Sequence, residues 1–145
     1  MQVSPIPTDN LMNREAAFWN KLADKYSRRP VADEATYQKK LEVTRQYFQP
    51  DMEVLEIGCG TGSTAIAHAP CVGHIRATDL STRMIEIAKD KAKVAGIENV
   101  TFEASSIDAL DVPDASVDVV MAHSVLHLLE DKEQVIADVH KMLKP

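Results

Sequence analysis

The stretch from Val54 to Gly62 constrains the fold more than any other part of the chain. Its first residues, Val54–Ile57, form a short run with one acid among apolar residues, which is typical of a strand buried in a parallel sheet. Three glycines then occupy alternate positions (Gly58, Gly60 and Gly62), and a helical pattern begins at Ser63. Glycines let a backbone turn sharply near a ligand, and a helix start presents free N–H groups. The pattern therefore predicts a nucleotide-type crevice in an α/β fold.

The residues around the glycines indicate which ligand this crevice takes. The dinucleotide pattern G-x-G-x-x-G places glycine or alanine at position 63, where this chain has Ser63. Glu56 stands two residues before Gly58, and a carboxylate there would repel a pyrophosphate. A cation suits it better, and S-adenosylmethionine carries a sulfonium and an ammonium but no phosphate. We therefore expect S-adenosylmethionine rather than NAD.

The motif Glu56-x-Gly58-x-Gly60-x-Gly62 after an apolar strand resembles the first motif of class I S-adenosylmethionine-dependent methyltransferases. The resemblance extends from about Ala16 to Pro145 and implies a Rossmann-like α/β fold, a parallel sheet flanked by helices with strand order 3-2-1-4. It also implies that the glycine loop contacts the methionine end of the cofactor, through Glu56, Gly58, Cys59, Gly60 and Gly62.

Asp79 ends the second predicted strand, Gly73–Asp79. An acid at this point of adenosine-binding α/β folds accepts hydrogen bonds from the ribose hydroxyls. The run Asp79-Leu80-Ser81 matches the methyltransferase pattern, which assigns Asp79 and Leu80 to the cofactor site. The alternative is that Asp79 caps the next helix, although Ser81 is better placed for that. Met84, in the first turn of this helix, is expected to contact the adenine or to pack in the core.

The loop after the third predicted strand departs from the family pattern. Methyltransferases often have Gly-Asp-Ala there, with the aspartate and the next N–H binding adenine. This chain has Ser106 and Ile107 at the last two of these positions. A serine hydroxyl still accepts a hydrogen bond, but it is neutral and shorter, so adenine recognition should weaken or run through water. Asp108, two positions along, is the alternative acceptor.

Further candidates come from the ends of the chain. His123 follows the fourth predicted strand, Val117–Ala122, and is expected beside the cofactor. His127 is a candidate substrate-side base, with a packing role as the alternative. Tyr26 lies in a helix predicted from Arg14 to about Ser27, capped by Asn13, in which Phe18, Leu22 and Tyr26 share one apolar face. The resemblance implies that Tyr26 approaches the methionine end; core packing is the alternative.

The predicted organisation is an N-terminal helical segment, residues 1–50, over the crevice, followed by a cofactor-binding core, residues 51–145. Residues 1–12 read as a loose leader, Asp33 opens a second helix, and Asp131 with Gln134 opens the last one. The family's sheet has three more strands after this point. We therefore expect a fragment truncated after the fourth strand and its helix; a second subunit, forming a homodimer, is the alternative cover for that exposed strand edge.

Composition restricts the partners. The formal net charge is −6, which offers no basic field for nucleic acid. Two cysteines make neither a disulfide framework nor a zinc site, and no membrane span or signal peptide is evident, so a cytoplasmic location is expected.

The predicted function is methyl transfer from S-adenosylmethionine to a small-molecule acceptor by in-line displacement, which requires neither a metal nor a covalent catalytic residue. Among methyltransferases, the sequence most resembles those of ubiquinone and menaquinone biosynthesis. The alternatives are a non-catalytic module that binds the cofactor and, against Glu56 and Ser63, an NAD-dependent oxidoreductase.

Overall fold

The computed structural model describes residues 8–28, 33–123 and 131–145, with side chains from residue 14 onward. In chain order its elements are α1 (Thr8–Ser27), α2 (Glu34–Arg45), β1 (Glu53–Ile57), α3 (Ser63–His68), β2 (His74–Asp79), α4 (Thr82–Val94), β3 (Val100–Ala104), β4 (Val119–Met121) and α5 (Lys132–Met142). Two short 3-10 turns cover Ala69–Cys71 and Ile107–Ala109. Within the described ranges, no helix combines the length and the apolar character that crossing a membrane requires.

The four strands form one parallel sheet in the order β3-β2-β1-β4, which confirms the predicted α/β architecture and strand order. Strand β1 pairs with β2 from Glu53 opposite His74 to Ile57 opposite Thr78, and with β4 through Glu56 opposite Met121. All carboxyl ends therefore lie at the same edge of the sheet, where open α/β folds bind ligands.

The central strand β1 is buried on both faces, as expected of a parallel sheet between helices. On the side of α3 and α4, the larger of two apolar clusters contains Val54, Ile75, Ala77, Ile85, Ala88, Phe102 and Met121. On the other side, Leu55, Ile57, Val117 and Met142 of α5 form the smaller cluster. Successive residues of β1 alternate between the two clusters, so Glu56 shares the α3/α4 face with Val54.

Three helix starts follow from local sequence. Asp33, Ser81 and Asp131 are the N-caps of α2, α4 and α5, and each side chain accepts from the backbone N–H three residues later. The predicted capping box at α5 is half formed, because the Gln134 amide donates to Asp138 (2.9 Å) rather than back to the cap.

The prediction for α1 was wrong in two respects. The helix begins at Thr8, so Asn13 lies inside it rather than capping it, and residues 8–12 are helical rather than a loose leader. Phe18 and Tyr26 are 57% and 50% exposed, whereas Ala23 is fully buried. The face of α1 that packs on α4 carries polar side chains that hydrogen-bond to α4. Asn20 accepts from the Arg83 N–H (3.0 Å), and Asp24 accepts from the Arg83 guanidinium (2.8 Å).

Candidate functional site

The glycine loop between β1 and α3 has the conformation that its sequence predicts. Gly58, Gly60 and Gly62 have φ angles of 72°, 56° and 83°, in the left-handed region that side chains disfavour. A Cβ on Gly62 would lie 2.9 Å from the Ala88 Cβ and from the Phe102 ring, so α4 and β3 approach too closely for any side chain at this position. The φ angles of all three residues thus favour glycine, and at Gly62 the close contacts exclude any side chain as well.

Asp79 ties this loop to the end of β2. One carboxylate oxygen accepts from the Gly60 N–H (2.9 Å), and the other accepts from the Ser81 N–H (3.0 Å). Ser81 performs the capping of α4, accepting from the Met84 N–H (3.1 Å), as the sequence suggested. Because a carboxylate has about four acceptor sites, Asp79 keeps two lone pairs for further donors.

The second acid of the site, Glu56, lies one residue before the end of β1. Its side chain is 3% exposed, and its register partners Ala77 and Met121 are buried apolar residues. Its Oε1 atom is buried and has no hydrogen-bond partner among the described residues. Burial, together with the negative charge of Asp79, raises the pKa of Glu56 to about 8. The acid is therefore protonated at neutral pH unless a cation stabilises its charge.

Cys59, inside the loop, is not a nucleophile. Burial raises the pKa of its thiol, and the carboxylates of Glu56 and Asp79 add to that shift. The reactive form of cysteine is the thiolate, which this setting disfavours. Its N–H donates to the Thr78 carbonyl (2.9 Å), so its contribution is to join the loop to β2.

Two helical candidates have different surroundings. The Tyr26 ring lies at the loop, with Cε1 3.8 Å from the position of a Cβ on Gly60, and it is half exposed rather than packed in the core. Met84 is 2% exposed, which agrees with the core alternative. Leu80 is partly buried between Asp79 and the cap of α4.

The loop after β3 uses the serine hydroxyl locally. Ser106 caps the 3-10 turn, accepting from the Ala109 N–H (3.3 Å), and both Ser106 and Ile107 are partly buried. Asp108 is exposed. Adenine contacts by these residues remain predictions.

His123 comes two residues after β4, at the same edge of the sheet, and is exposed. Partial burial of the ring lowers the pKa of His123, and the charge of Lys40 adds to this shift. His127, the candidate base, lies outside the described residues. In the parts of the chain that the structure describes, no group of His, Cys, Asp or Glu could hold a metal ion.

Two residues near the site were missed by the sequence analysis. Asn20 of α1 accepts from the Ser81 hydroxyl, which anchors the N-terminal segment to the cap of α4. His68, in the last turn of α3, is fully buried against Phe48, with ring centroids 5.0 Å apart. Neither ring nitrogen of His68 has a hydrogen-bond partner among the described residues. No motif signals either role, since both depend on contacts distant in sequence.

Comparison with known proteins identifies the family. The family described as "Methyltransferase domain" matches residues 54–145, which begin at the strand before the glycine loop. The chain belongs to this methyltransferase family. It is 34% identical over 91 residues to the uncharacterized methyltransferase YcgJ of Bacillus subtilis, covering 63% of this chain and 36% of YcgJ. It is 31% identical over 100 residues to the demethylmenaquinone methyltransferase of Listeria welshimeri, covering 67% of this chain and 42% of that protein.

Solved structures show the same fold. The YcgJ crystal structure superposes with a TM-score of 0.70 at 29% identity, covering 74% of this chain and 47% of that one. An S-adenosylmethionine-dependent methyltransferase from Mesorhizobium loti superposes with a TM-score of 0.64 at 26% identity, covering 77% of this chain and 49% of that one. The fold is the Rossmann-like fold of class I methyltransferases, and the family indicates S-adenosylmethionine as the cofactor. The chain spans about a third to two fifths of the length of the two curated relatives.

Proposed function

We propose that this chain forms the cofactor-binding part of an enzyme that transfers the methyl group of S-adenosylmethionine to a small-molecule acceptor. The observation that carries the proposal is Glu56, a nearly fully buried acid whose Oε1 has no partner among the described residues, directly before the glycine loop. Burying an acid without a partner is costly, and a cationic ligand would relieve that cost. S-adenosylmethionine brings two positive charges.

The other residues of the site divide the recognition of this cofactor. We assign the glycine loop, from Gly58 to Gly62, to the methionine end, because its positive-φ turn lets backbone N–H groups approach a ligand. Asp79 is assigned to the ribose, using the two lone pairs that its bonds to Gly60 and Ser81 leave free. Tyr26 is assigned to the methionine end, since its ring lies at Gly60.

The remaining candidates are assigned from their places around the crevice. We place Leu80, Ser106, Ile107 and His123 around the adenosine, and Cys59 contributes backbone alone because its thiol is disfavoured as a thiolate. Met84 is assigned to the core under the site. The helical segment of residues 1–50 is proposed as the cover of the crevice, anchored through Asn20 and Tyr26.

The chemistry needs little from the protein beyond position. S-adenosylmethionine supplies a methyl group on a positively charged sulfur. Bound in the loop, it would supply that carbon to the acceptor's lone pair, and the departing sulfur would keep the electron pair of the broken bond. Holding the two partners in line and away from water accounts for most of such a rate enhancement. The residues named above are proposed to hold the methyl donor.

The proposal also includes a small-molecule acceptor and a cytoplasmic location. A small molecule is supported by the similarity to a demethylmenaquinone methyltransferase, and the net charge of −6 disfavours nucleic acid. Cys59 and Cys71 are both free, which is usual in the reducing cytoplasm. Strand β4 pairs on one side only among the described residues, and a second copy of the chain is kept as the alternative cover for its free edge.

Calorimetric titration of S-adenosylmethionine, and separately of NAD, tests the cofactor assignment. We expect binding of S-adenosylmethionine with a Kd on the order of micromolar, no binding of NAD, and at least a tenfold loss in Asp79→Ala. Asp114→Ala is the matched control, because Asp114 is exposed and lies before the amino end of β4, away from the carboxyl ends that form the site. The next residue, Ala115, donates its N–H to the Lys141 carbonyl of α5. Circular dichroism of each variant checks that the fold is retained.

Binding of NAD instead would contradict the assignment of Glu56 and the glycines. Binding of S-adenosylmethionine without turnover, after screening small phenols, quinols, amines and thiols on a chain extended to the length of its relatives, would favour the non-catalytic alternative. Binding that Asp79→Ala and Asp114→Ala leave equally intact would contradict the role of Asp79 alone.

A further inference from the structure

Lys91 is the one lysine of α4 whose ammonium is hydrogen-bonded to the glycine loop in the described part of the chain. It lies in the last turn of α4, outside every motif that the sequence analysis used. Its Nζ donates to the Ser63 hydroxyl (2.6 Å) and to the Thr61 hydroxyl (3.2 Å). These two residues flank Gly62, so one ammonium is hydrogen-bonded to the loop on both sides of its most closely packed glycine.

The contact is part of a larger surface by which α4 shapes the loop. Ala88 lies one turn before Lys91 on the same face of the helix, and its Cβ, with the Phe102 ring, excludes a side chain at Gly62. Thr61 is 6% exposed, whereas Ser63 is exposed. Apolar contact at Ala88 and polar contact at Lys91 thus fix the middle and the end of the loop from behind.

The Lys91 ammonium forms no ion pair among the described residues. Among the described residues, no carboxylate lies within ion-pair distance of Lys91. Partial burial lowers the pKa of Lys91, which means that the site bears a cost for this charge. Two bonds from a charged donor to hydroxyls offset that cost, and they are directional where an apolar contact is not. Such an arrangement favours one loop conformation over others.

We propose that Lys91 is a positioning residue for the amino-acid end of the cofactor, acting through Thr61 and Ser63 to hold the glycine loop in its binding conformation. The inference rests on the proposed function, in which this loop receives the methionine end. Lys91 touches the loop's side chains rather than the ligand. Its removal would lower the fraction of chains in which the loop is competent, and the apparent affinity would fall by the same fraction.

Two ligands separate positioning of the loop from general support of the fold. S-adenosylhomocysteine carries the amino-acid end, and 5′-methylthioadenosine has the same nucleoside without it. In Lys91→Met we expect the Kd for S-adenosylhomocysteine to rise about tenfold, and the Kd for 5′-methylthioadenosine to change less than about twofold. Lys91→Arg, whose guanidinium can donate to both hydroxyls, should restore most of the ratio between the two affinities.

Lys93→Met is the matched control, because it removes the same charge from the same last turn of α4 at an exposed position. It should leave both affinities within about twofold, since exposed charges this far from a ligand are screened by salt. Ser63→Ala removes the closer acceptor at an exposed site and should shift the ratio in the same direction as Lys91→Met, by about threefold.

The outcomes are distinct. Equal loss of both ligands in Lys91→Met, or no loss of either, would overturn the positioning role, because a merely structural lysine does not distinguish them. An unchanged ratio in Ser63→Ala would overturn it even if Lys91→Met fails to fold. Failure of the unaltered chain to bind either nucleoside would instead overturn the proposed function, and this inference with it.

Discussion

Two carboxyl groups lie at neighbouring strand ends of this crevice, and the protein treats them in opposite ways. Asp79, at the end of β2, accepts two backbone N–H bonds at 2.9 and 3.0 Å. Glu56, near the end of β1, is 3% exposed, and its Oε1 has no partner among the described residues. Asp79 is stabilised by hydrogen bonds within the empty protein. We expect Glu56 to be stabilised only when a cationic ligand binds.

The same contrast extends to the surroundings of each acid. Around Asp79, the loop and the start of α4 are bonded to each other and to α1 through Asn20. On the face of the sheet that carries Glu56, His68 is fully buried with both nitrogens unpartnered among the described residues. Burial, together with the nearby charges of Arg45 and His123, lowers the pKa of His68 to about 4. This region holds its polar groups neutral.

The contrast between Asp79 and Glu56 suggests different roles: Asp79 contributes to the stability of the fold, and Glu56 to the binding of a cation. Hydrogen bonds to Asp79 lower the energy of the empty protein, so altering them should destabilise the fold. Neutral buried groups raise that energy, so replacing Glu56 should leave the fold intact and affect the response to charge. Each of the four predictions below tests one or both sides of this comparison.

The largest effect is expected on the bonded side, from Gly62→Ala. The new Cβ would meet Ala88 and Phe102 at 2.9 Å, and the residue would have to keep a φ of 83°. Overpacking and backbone strain together should lower the free energy of unfolding by about 3 kcal/mol. Urea denaturation followed by circular dichroism measures this change.

Gly96→Ala is the matched control. Gly96 has a φ of 70°, similar to that of Gly62, but no atom lies within 4 Å of the position of its Cβ. Backbone strain alone should then cost about 1 kcal/mol. Equal losses in the two variants would mean that α4 and β3 do not constrain the loop, and that the contacts behind Gly62 are unimportant.

The second effect compares the two acids directly, through Asp79→Asn and Glu56→Gln. An asparagine has one acceptor oxygen, so either the Gly60 or the Ser81 N–H would face an amide NH₂ group, and about 2 kcal/mol should be lost. Glutamine mimics the protonated form of Glu56 in the folded chain but, unlike Glu56, it cannot ionise in the unfolded chain. Glu56→Gln should therefore gain rather than lose free energy of unfolding at pH 7 relative to the unaltered chain.

Chemical denaturation at pH 7 measures both variants under the same conditions. A loss in Glu56→Gln as large as in Asp79→Asn would show that the Glu56 carboxylate is ionised and bonded in the folded chain. That result would remove the contrast between the two acids, and with it the argument that Glu56 awaits a cation.

Local sequence predicted the parts of this site that local geometry controls. The strand before the glycines, the glycine conformations and the caps at Asp33, Ser81 and Asp131 each depend on residues within a few positions of one another. Strand order followed from the resemblance to a known fold and is confirmed. Such features are readable because φ angles and cap bonds are set by neighbours along the chain.

The contacts that sequence reasoning missed join residues far apart in the chain. Asn20 reaches Ser81 and Arg83, Lys91 reaches Thr61, and His68 packs on Phe48. The face of α1 that was expected to pack was wrong for the same reason: its apolar spacing placed Phe18, Leu22 and Tyr26 on one apolar face, but bonds from Asn20 and Asp24 turn another face toward α4. A few polar bonds thus outweighed a weak hydrophobic stripe.

The smallest effect is a pH dependence of stability that isolates Glu56. A pKa raised from 4.5 to about 8 means that the folded chain keeps a proton that the unfolded chain releases, so this contribution is present below pH 4.5 and is lost as the pH rises through 8. The lowered pKa of His68, about 4 against 6.5, acts in the opposite sense, because stability is lost as the pH falls from 6.5 toward 4. The two slopes oppose each other between pH 4.5 and 6.5.

Above pH 6.5 the contribution of Glu56 is no longer opposed by His68. The free energy of unfolding should therefore fall by about 1 kcal/mol per pH unit from pH 6.5 to 8 in the unaltered chain, and stay level in Glu56→Gln. Glu98→Gln, at an exposed position, should behave like the unaltered chain. Denaturation at half-unit pH steps measures these slopes, and a level profile in the unaltered chain would mean that Glu56 is already ionised.

The same acid links pH to ligand binding. A cation that settles beside Glu56 favours its ionised form, so binding of S-adenosylmethionine at pH 7 should release about one proton. Calorimetry in two buffers of different ionisation enthalpy counts that proton, and Glu56→Gln should abolish its release while Glu98→Gln retains it. Binding with no proton release would place the cofactor's positive charges away from Glu56, and the unpaired acid would then need another explanation than the cofactor.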